Sequence, residues 1–279
     1  MTNIKKRIYC ISIYNELFNK INSLNCIPVG LGQNIYSSGW LRDNTGTNIS
    51  SKNSNYGELT FWFWLWKNEL KNIPDNTWIG FSQYRRHWYK NKNKEYYDTN
   101  IYENVLKEVP KEWNNYDTIL AEKITTKKVK FMKLLKYGKK ALIKNPKAII
   151  SNYRNIKFNF DMMHGTGILD EAINLLDEDN KKKFREYCKN ETSFSPVNMF
   201  ICKSKSKIIS FYQCLFDWLE KCEHKFGLEL DGYRNIRRYA FLAERFMPYW
   251  FNRNTKVLEW PIIFHDLREE KNNKDNRFI

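Results

Sequence analysis

Glycine and proline are scarce in this chain, at 11 and 7 of 279 residues, which excludes a collagen-like or low-complexity polymer. No run of roughly 18 apolar residues is present, so a membrane-spanning helix is not expected. The six cysteines (Cys10, Cys26, Cys188, Cys202, Cys214 and Cys222) form no Cys-x-x-Cys pair and no zinc-like spacing with histidine. Most sit in apolar runs such as Ile8-Tyr9-Cys10-Ile11, the pattern of buried thiols in a reducing compartment. The basic stretch Met1–Arg7 is not followed by the apolar core of a signal peptide. The expected location is therefore cytoplasmic. A Walker-type glycine-rich loop is also missing, which counts against nucleotidyl or phosphoryl transfer.

Aromatic and basic residues are plentiful. Phe, Trp and Tyr make up 16% of the chain, enough for the core of a large domain. Lys and Arg number 47 against 31 Asp and Glu, a formal charge of +16. Such a balance suits nucleic acid, an anionic membrane or a phosphorylated small molecule. Runs such as Lys90-Asn91-Lys92-Asn93-Lys94 and Lys271-Asn272-Asn273-Lys274 show that part of it is a diffuse background. Only the placement of charge is informative.

Buried strands are expected at residues 7–13, 78–84, 116–120 and 197–202, with a closing strand at 257–264. Residues around Pro28, Gly30, Gly32 and Gly39 read as loop. Asn55-Tyr56-Gly57-Glu58 has capping-box spacing before an aromatic helix over 59–70. Helical periodicity marks 168–188, 206–226 and 233–252. Strands alternating with helices predict an α/β domain with a mostly parallel sheet.

The stretch 123–157 stands apart, with twelve Lys or Arg and no acidic residue. Val129, Met132, Leu135, Leu142 and Ile143 alternate with Lys130, Lys133, Lys136, Lys139, Lys140 and Lys144. That pattern fits an amphipathic basic helix on an anionic membrane surface. It equally fits a solvated helix packing one stripe on the body. Nucleic acid is the less expected partner, since few aromatics and no recognised module accompany the charge.

Chemistry is expected where the strand 78–84 ends in Tyr84-Arg85-Arg86-His87. Ligands of open α/β sheets bind beyond the carboxyl ends of the strands, and two adjacent guanidinium forks suit a diphosphate. A surface salt bridge is the plainer alternative. The polar loop 43–50 and residues 55–58 offer a second wall for a sugar or ribose, or simply a turn and a helix cap. Asp161 and His164, in Asp161-Met162-Met163-His164-Gly165-Thr166-Gly167, either face an acceptor or belong to a structural helix entry. Glu244 is either a catalytic carboxylate or half of a buried ion pair.

Together these segments resemble a known family. Asp43-Asn44-Thr45-Gly46-x-Asn48-Ile49-Ser50 with Asn55-Tyr56-Gly57-Glu58-Leu59-Thr60 is similar to its first signature, and Ile79-Gly80-Phe81-x-x-Tyr84-Arg85-Arg86 to its second. Asn198-Met199-Phe200-Ile201 and Phe241-Leu242-Ala243-Glu244-Arg245 resemble its C-terminal landmarks. The family is the glycosyltransferase-like group of unknown function found in bacterial capsular and exopolysaccharide gene clusters.

The resemblance implies an α/β, GT-A-like nucleotide-diphospho-sugar transferase fold. One domain over 1–264 is expected, with a basic helical insertion around 123–157 and a polar tail at 265–279. It implies hexosyl transfer from a nucleotide-diphosphate sugar, UDP-hexose favoured, to a glycan or polyprenyl-diphosphate-linked acceptor at the inner membrane face. Asp43, Asn44, Asn48, Asn55, Glu58, Tyr84, Arg85 and Arg86 fall to the donor, and His87 and Asn198 to the acceptor. Asp161, His164 and Glu244 are the candidate catalytic groups. Such folds commonly hold manganese or magnesium on an Asp-x-Asp motif. Here Tyr84-Arg85-Arg86 stands in that place, so no metal ligand and no cofactor is expected. Gly57 replaces the family's usual Cys or similar small residue, a change expected to matter little. The rival reading is a non-catalytic module that binds polyanions, whether nucleic acid or anionic polysaccharide.

Overall fold

Alternation along the first strand creates two layers. In β1 (Lys6–Ser12), Tyr9 and Ile11 enter one core while Ile8 and Cys10 enter clusters on the other face, the period-two geometry of a strand buried on both sides. The computed structural model describes residues 5–93, 100–128, 132, 134, 138–269 and 277–278. β1 pairs in parallel with β2 (Ile27–Gly30) and β4 (Trp78–Gln83), and β3 (Leu41–Arg42) extends the sheet from β2. Beyond β4 lies β9 (Phe200–Cys202), antiparallel to both β4 and β6 (Thr118–Ala121). β10 (Val257–Trp260) is parallel to β6 and completes the order β10-β6-β9-β4-β1-β2-β3. The α/β class and the mostly parallel sheet agree with expectation.

One face is covered by α3 (Leu59–Trp64), α9 (Lys205–Phe226) and, after the single turn α10 (Tyr233–Ile236), α11 (Arg238–Asn254). Trp62 of α3 lies within 6.0 Å, centroid to centroid, of Phe81, Phe200, Phe211 and Tyr212. This tilted aromatic packing fills the space between sheet and helices. The other face is covered by α1 (Phe18–Ser23), α4 (Ile101–Asn104) and the Trp78–Trp113–Trp260 cluster.

Several expected elements are different in detail. The region expected as loop contains β2; Pro28 is accommodated because β3 pairs only with Val29 and Gly30. The capping box does not form. Asn53–Tyr56 is itself a helical turn, α2, and Gly57 interrupts it with φ +54°. The stretch expected as helix 168–188 is two helices, α7 (Ile168–Asn174) and α8 (Glu178–Asn190), because Asp177 caps the second through the Asn180 amide at 3.0 Å. The closing strand is split by Pro261 into β10 and β11 (Ile262–Phe264). Beyond β4 the chain turns at once into β5 (Arg86–Trp88), antiparallel to β4 and β11.

The basic stretch is not one helix. It contains the short strand β7 (Ile124–Thr125), which pairs with β8 (Ser193–Phe194). Next come α5 (Lys139–Lys144), two 3₁₀ turns at Pro146–Ile149 and Ser151–Tyr153, and the start of α6 (Ile156–His164). Pro146 ends α5 because it cannot continue the hydrogen-bond ladder. Val129, Lys130, Lys133, Leu135 and Lys136 lie outside the described residues. The tail is not uniformly polar: His265, Asp266 and Leu267 are buried, and β12 (Arg277–Phe278) pairs with β11. Residues 270–276 and 279 are likewise outside the description. Among the described residues, no helix is long and apolar enough to cross a membrane.

Candidate functional site

A cleft of about 240 Å³ opens at the carboxyl ends of β1 and β4. Ile11 and Ser12 from β1, Gln83 from β4 and the turn Tyr84–Arg85 form one wall. Glu58, Arg237, Phe241 and Glu244 form the other, with Val197 and Asn198 between them. This is where a parallel α/β sheet offers a ligand its exposed strand ends.

The arginine turn is held from outside the cleft. The amide of His265 donates to the Arg85 carbonyl and that of Leu267 to the Tyr84 carbonyl, both at 3.1 Å. Arg86 Nη1 donates to Gln83 Oε1 at 2.9 Å, fixing its guanidinium across the β4–β5 turn. Arg85 lies over the Tyr84 ring at 4.9 Å, and Tyr84 packs edge-on against Tyr14 at 5.1 Å. Burial raises the Tyr84 phenol, so that side chain is neutral at physiological pH. Asp266 fixes the outer rim: burial opposes its ionisation, yet the forked Arg268 contact at 2.6 Å holds its carboxyl below the usual range.

On the facing wall the Glu58 carboxylate receives Asn198 Nδ2 on one oxygen and Arg237 Nη2 on the other, each at 2.8 Å. Asn198 Nδ2 also reaches the Ala240 carbonyl at 3.0 Å. Its Oδ1 is buried and has no hydrogen-bond partner among the described residues. Val197 and Asn198 have φ of +72° and +43°, and for a β-branched valine that is a strained conformation. The strain is held by Glu244, whose Oε1 accepts the Val197 amide at 2.8 Å. Glu244 Oε2 pairs with Arg245, whose guanidinium lies over the Phe194 ring at 4.1 Å and near the Phe160 ring at 5.8 Å.

Six sequence-predicted residues therefore meet in the cleft: Glu58, Tyr84, Arg85, Arg86, Asn198 and Glu244. The others do not. Asp43 is fully buried and joins two segments, accepting Gly32 N at 2.8 Å and Thr60 Oγ1 at 2.5 Å; burial raises its carboxyl above the usual range. Asn44 is half-buried and does not line the cleft. Asn48 closes an exposed turn on Ser50, and Asn55 donates to the Leu228 and Ile236 carbonyls.

His87 is buried within β5, where its Nε2–H donates to the His265 carbonyl at 3.2 Å. Burial and the neighbouring His265 push its imidazole down to about 4. Asp161 is held by Lys157 at 2.7 Å and by the Gly167 amide at 3.0 Å. His164 stacks on Phe241 at 3.9 Å, so it supports the cleft wall from behind.

Arg237 escaped the sequence reading. Its only local signal is the doublet Arg237-Arg238, which repeats that of Arg85-Arg86. Gly57 also matters more than expected. A Cβ built there would collide with the Arg237 guanidinium, and the positive φ of +54° is a glycine conformation.

Glu58 and Glu244 each already accept an arginine, and no group of three His, Cys, Asp or Glu side chains among the described residues can hold an ion. The cleft instead offers arginine forks to oxyanions, a buried amide oxygen and two carboxylates on the facing wall.

A family model described as a domain of unknown function, DUF4422, matches residues 7–255. No curated protein matches the chain. Among solved structures, the apo form of WbbM, a bifunctional glycosyltransferase, has the same fold with a TM-score of 0.68 at 20% sequence identity. That match covers 93% of this chain and 45% of the other, so this chain spans less than half of that structure.

Proposed function

The chain belongs to the DUF4422 family, and from that premise we propose that it is a glycosyltransferase using a nucleotide-diphosphate sugar, UDP-hexose favoured. The observation that carries the reading is the arginine turn at the carboxyl end of β4, facing a carboxylate wall across one cleft. The likeness to a glycosyltransferase fold supports it.

In this reading Arg85 and Arg86 hold the donor diphosphate. They stabilise the charge that grows on it as the sugar C1–O bond breaks, work that a metal ion does elsewhere. Catalysis is then independent of divalent metal. Arg237, Glu58 and Asn198 contact donor hydroxyls, with the unpartnered Asn198 Oδ1 accepting one of them. Glu244 takes the proton of the acceptor hydroxyl as the acceptor oxygen bonds to C1 and the diphosphate leaves. The products are a glycoside and a nucleoside diphosphate. The acceptor is a glycan, lipid-linked through a polyprenyl diphosphate, of a capsular or exopolysaccharide pathway, and the protein works at the cytoplasmic face of a membrane.

Screening nucleotide-diphosphate sugars for nucleoside-diphosphate release, with and without EDTA, tests the reading. One donor should turn over equally in both conditions. Release that stops in EDTA and returns with manganese contradicts the metal-independent clamp. No release from any donor, with polyanion binding retained, favours a binding module instead.

A further inference from the structure

Exposed apolar side chains are concentrated in one small part of this molecule. Eight large hydrophobic residues are exposed among the described residues, and five of them (Met132, Ile143, Ile149, Ile150 and Tyr153) fall within 132–153. Ile143 is 78% exposed, Ile149 62% and Ile150 56%. The same segment exposes Lys139, Lys140, Lys144 and Lys147, and no acidic residue occurs anywhere from Lys123 to Phe160.

This surface is built, not frayed. Beneath it Leu134, Ala141 and Ala148 pack on Phe158 and Met162 of α6 as a separate small core. Arg154 is buried and spends its guanidinium on backbone: Nε donates to the Ala148 carbonyl, Nη1 to that of Lys127 and Nη2 to that of Ile149, at 2.9–3.0 Å. The cation that would otherwise join the surface instead fixes the turn that presents Ile149 and Ile150. Inward residues are satisfied, and the isoleucines and lysines are left pointing away from that core.

We propose that the outer surface of 139–153 is a docking face for an anionic lipid bilayer, with the isoleucines and Tyr153 entering the headgroup–acyl boundary and the four lysines meeting acidic headgroups. Lysines alone would suit any polyanion; exposed isoleucines beside them match an interface that is apolar within and anionic without. Each lysine near such a surface contributes about 1 kcal/mol, close to five-fold in affinity. The face is joined to the cleft wall through α6: α5 packs on α6, and His164 at the end of α6 stacks on Phe241 of that wall. It deepens the membrane-face part of the proposed function. Vesicle binding is read without turnover, so either proposal can fail alone.

The test is co-sedimentation of the full chain with vesicles of phosphatidylcholine alone or with phosphatidylglycerol added at about 30 mol%, which gives the surface an anionic potential. The chain should bind the anionic vesicles, less so as salt rises. Ile149→Ser with Ile150→Ser should lower binding at least ten-fold at unchanged net charge, as should Lys139→Gln with Lys140→Gln, with circular dichroism unaltered. Indifference to phosphatidylglycerol overturns the proposal. So does loss with the lysine variant alone, which identifies a generic polyanion surface. A dimer in sedimentation velocity that the isoleucine variant dissociates also overturns it, and assigns the face to a second copy of the chain.

Discussion

Arg237 Nη2 and Glu58 Oε2 lie 2.8 Å apart on the cleft wall opposite the arginine turn, joining the start of α11 to the start of α3. The pair is partly screened, with Arg237 about one-third exposed and Glu58 nearly buried. Glu58 is thus anchored on both oxygens, by Arg237 and by Asn198. Glu58→Ala leaves the buried Asn198 amide one partner short and should cost about 1–3 kcal/mol in urea unfolding. Arg237→Ala removes only the more exposed partner and should cost about 1 kcal/mol or less. Equal costs would show that the wall is not organised around Glu58.

Gly57 sets the room available to Arg237. Gly57→Ala must displace the guanidinium and also places a Cβ on a backbone at φ +54°, a strain that costs about 1–3 kcal/mol. The expected result is a lower urea midpoint together with weaker nucleoside-diphosphate binding. The double variant Gly57→Ala with Arg237→Ala should recover part of the stability, since the collision is gone. Additive losses would contradict the steric account.

His87 predicts an acid sensitivity of the fold with a definite sign. Its folded value is about 4 against 6.5 for the free imidazole, so the unfolded chain takes up the proton first. Stability is then unaffected above pH 6.5 and falls as pH drops toward 4, by about 3 kcal/mol over that window. His87→Gln keeps a donor for the His265 carbonyl and does not titrate. Its pH–stability curve should be flatter between 6.5 and 4, as measured by thermal unfolding; a parallel curve would place the acid sensitivity elsewhere.

What was legible in the sequence was short-range. β1 and β4 each carry a short buried apolar run, at 8–11 and 78–81, and the Arg85-Arg86 doublet stands one residue beyond β4, so a strand end with two cations is legible without the fold. Glu58, Asn198 and Glu244 stood in recognisable segments. What connects them was not legible. Arg237 reaches Glu58 only because α11 folds back over α2, and residues 265–267 look like a polar tail although the His265 and Leu267 amides hold the arginine turn. Asp43 looked functional because it is an acid in a polar loop, yet its burial between Gly32 and Thr60 gives it structural work. The Asn55–Glu58 spacing imitated a capping box, and Gly57 between them made a different backbone path.

In the proposed function Arg85 and Arg86 bind a diphosphate without metal. Titration calorimetry with UDP, in buffer containing EDTA, tests it most directly on the wild-type chain and on Arg85→Ala and Arg86→Ala. Charge-assisted hydrogen bonds of about 1.5–3 kcal/mol predict that each substitution weakens binding by about 10- to 100-fold, while the wild type binds with EDTA present. Unchanged affinity in both variants, or wild-type binding that appears only when manganese or magnesium is restored, would contradict the account.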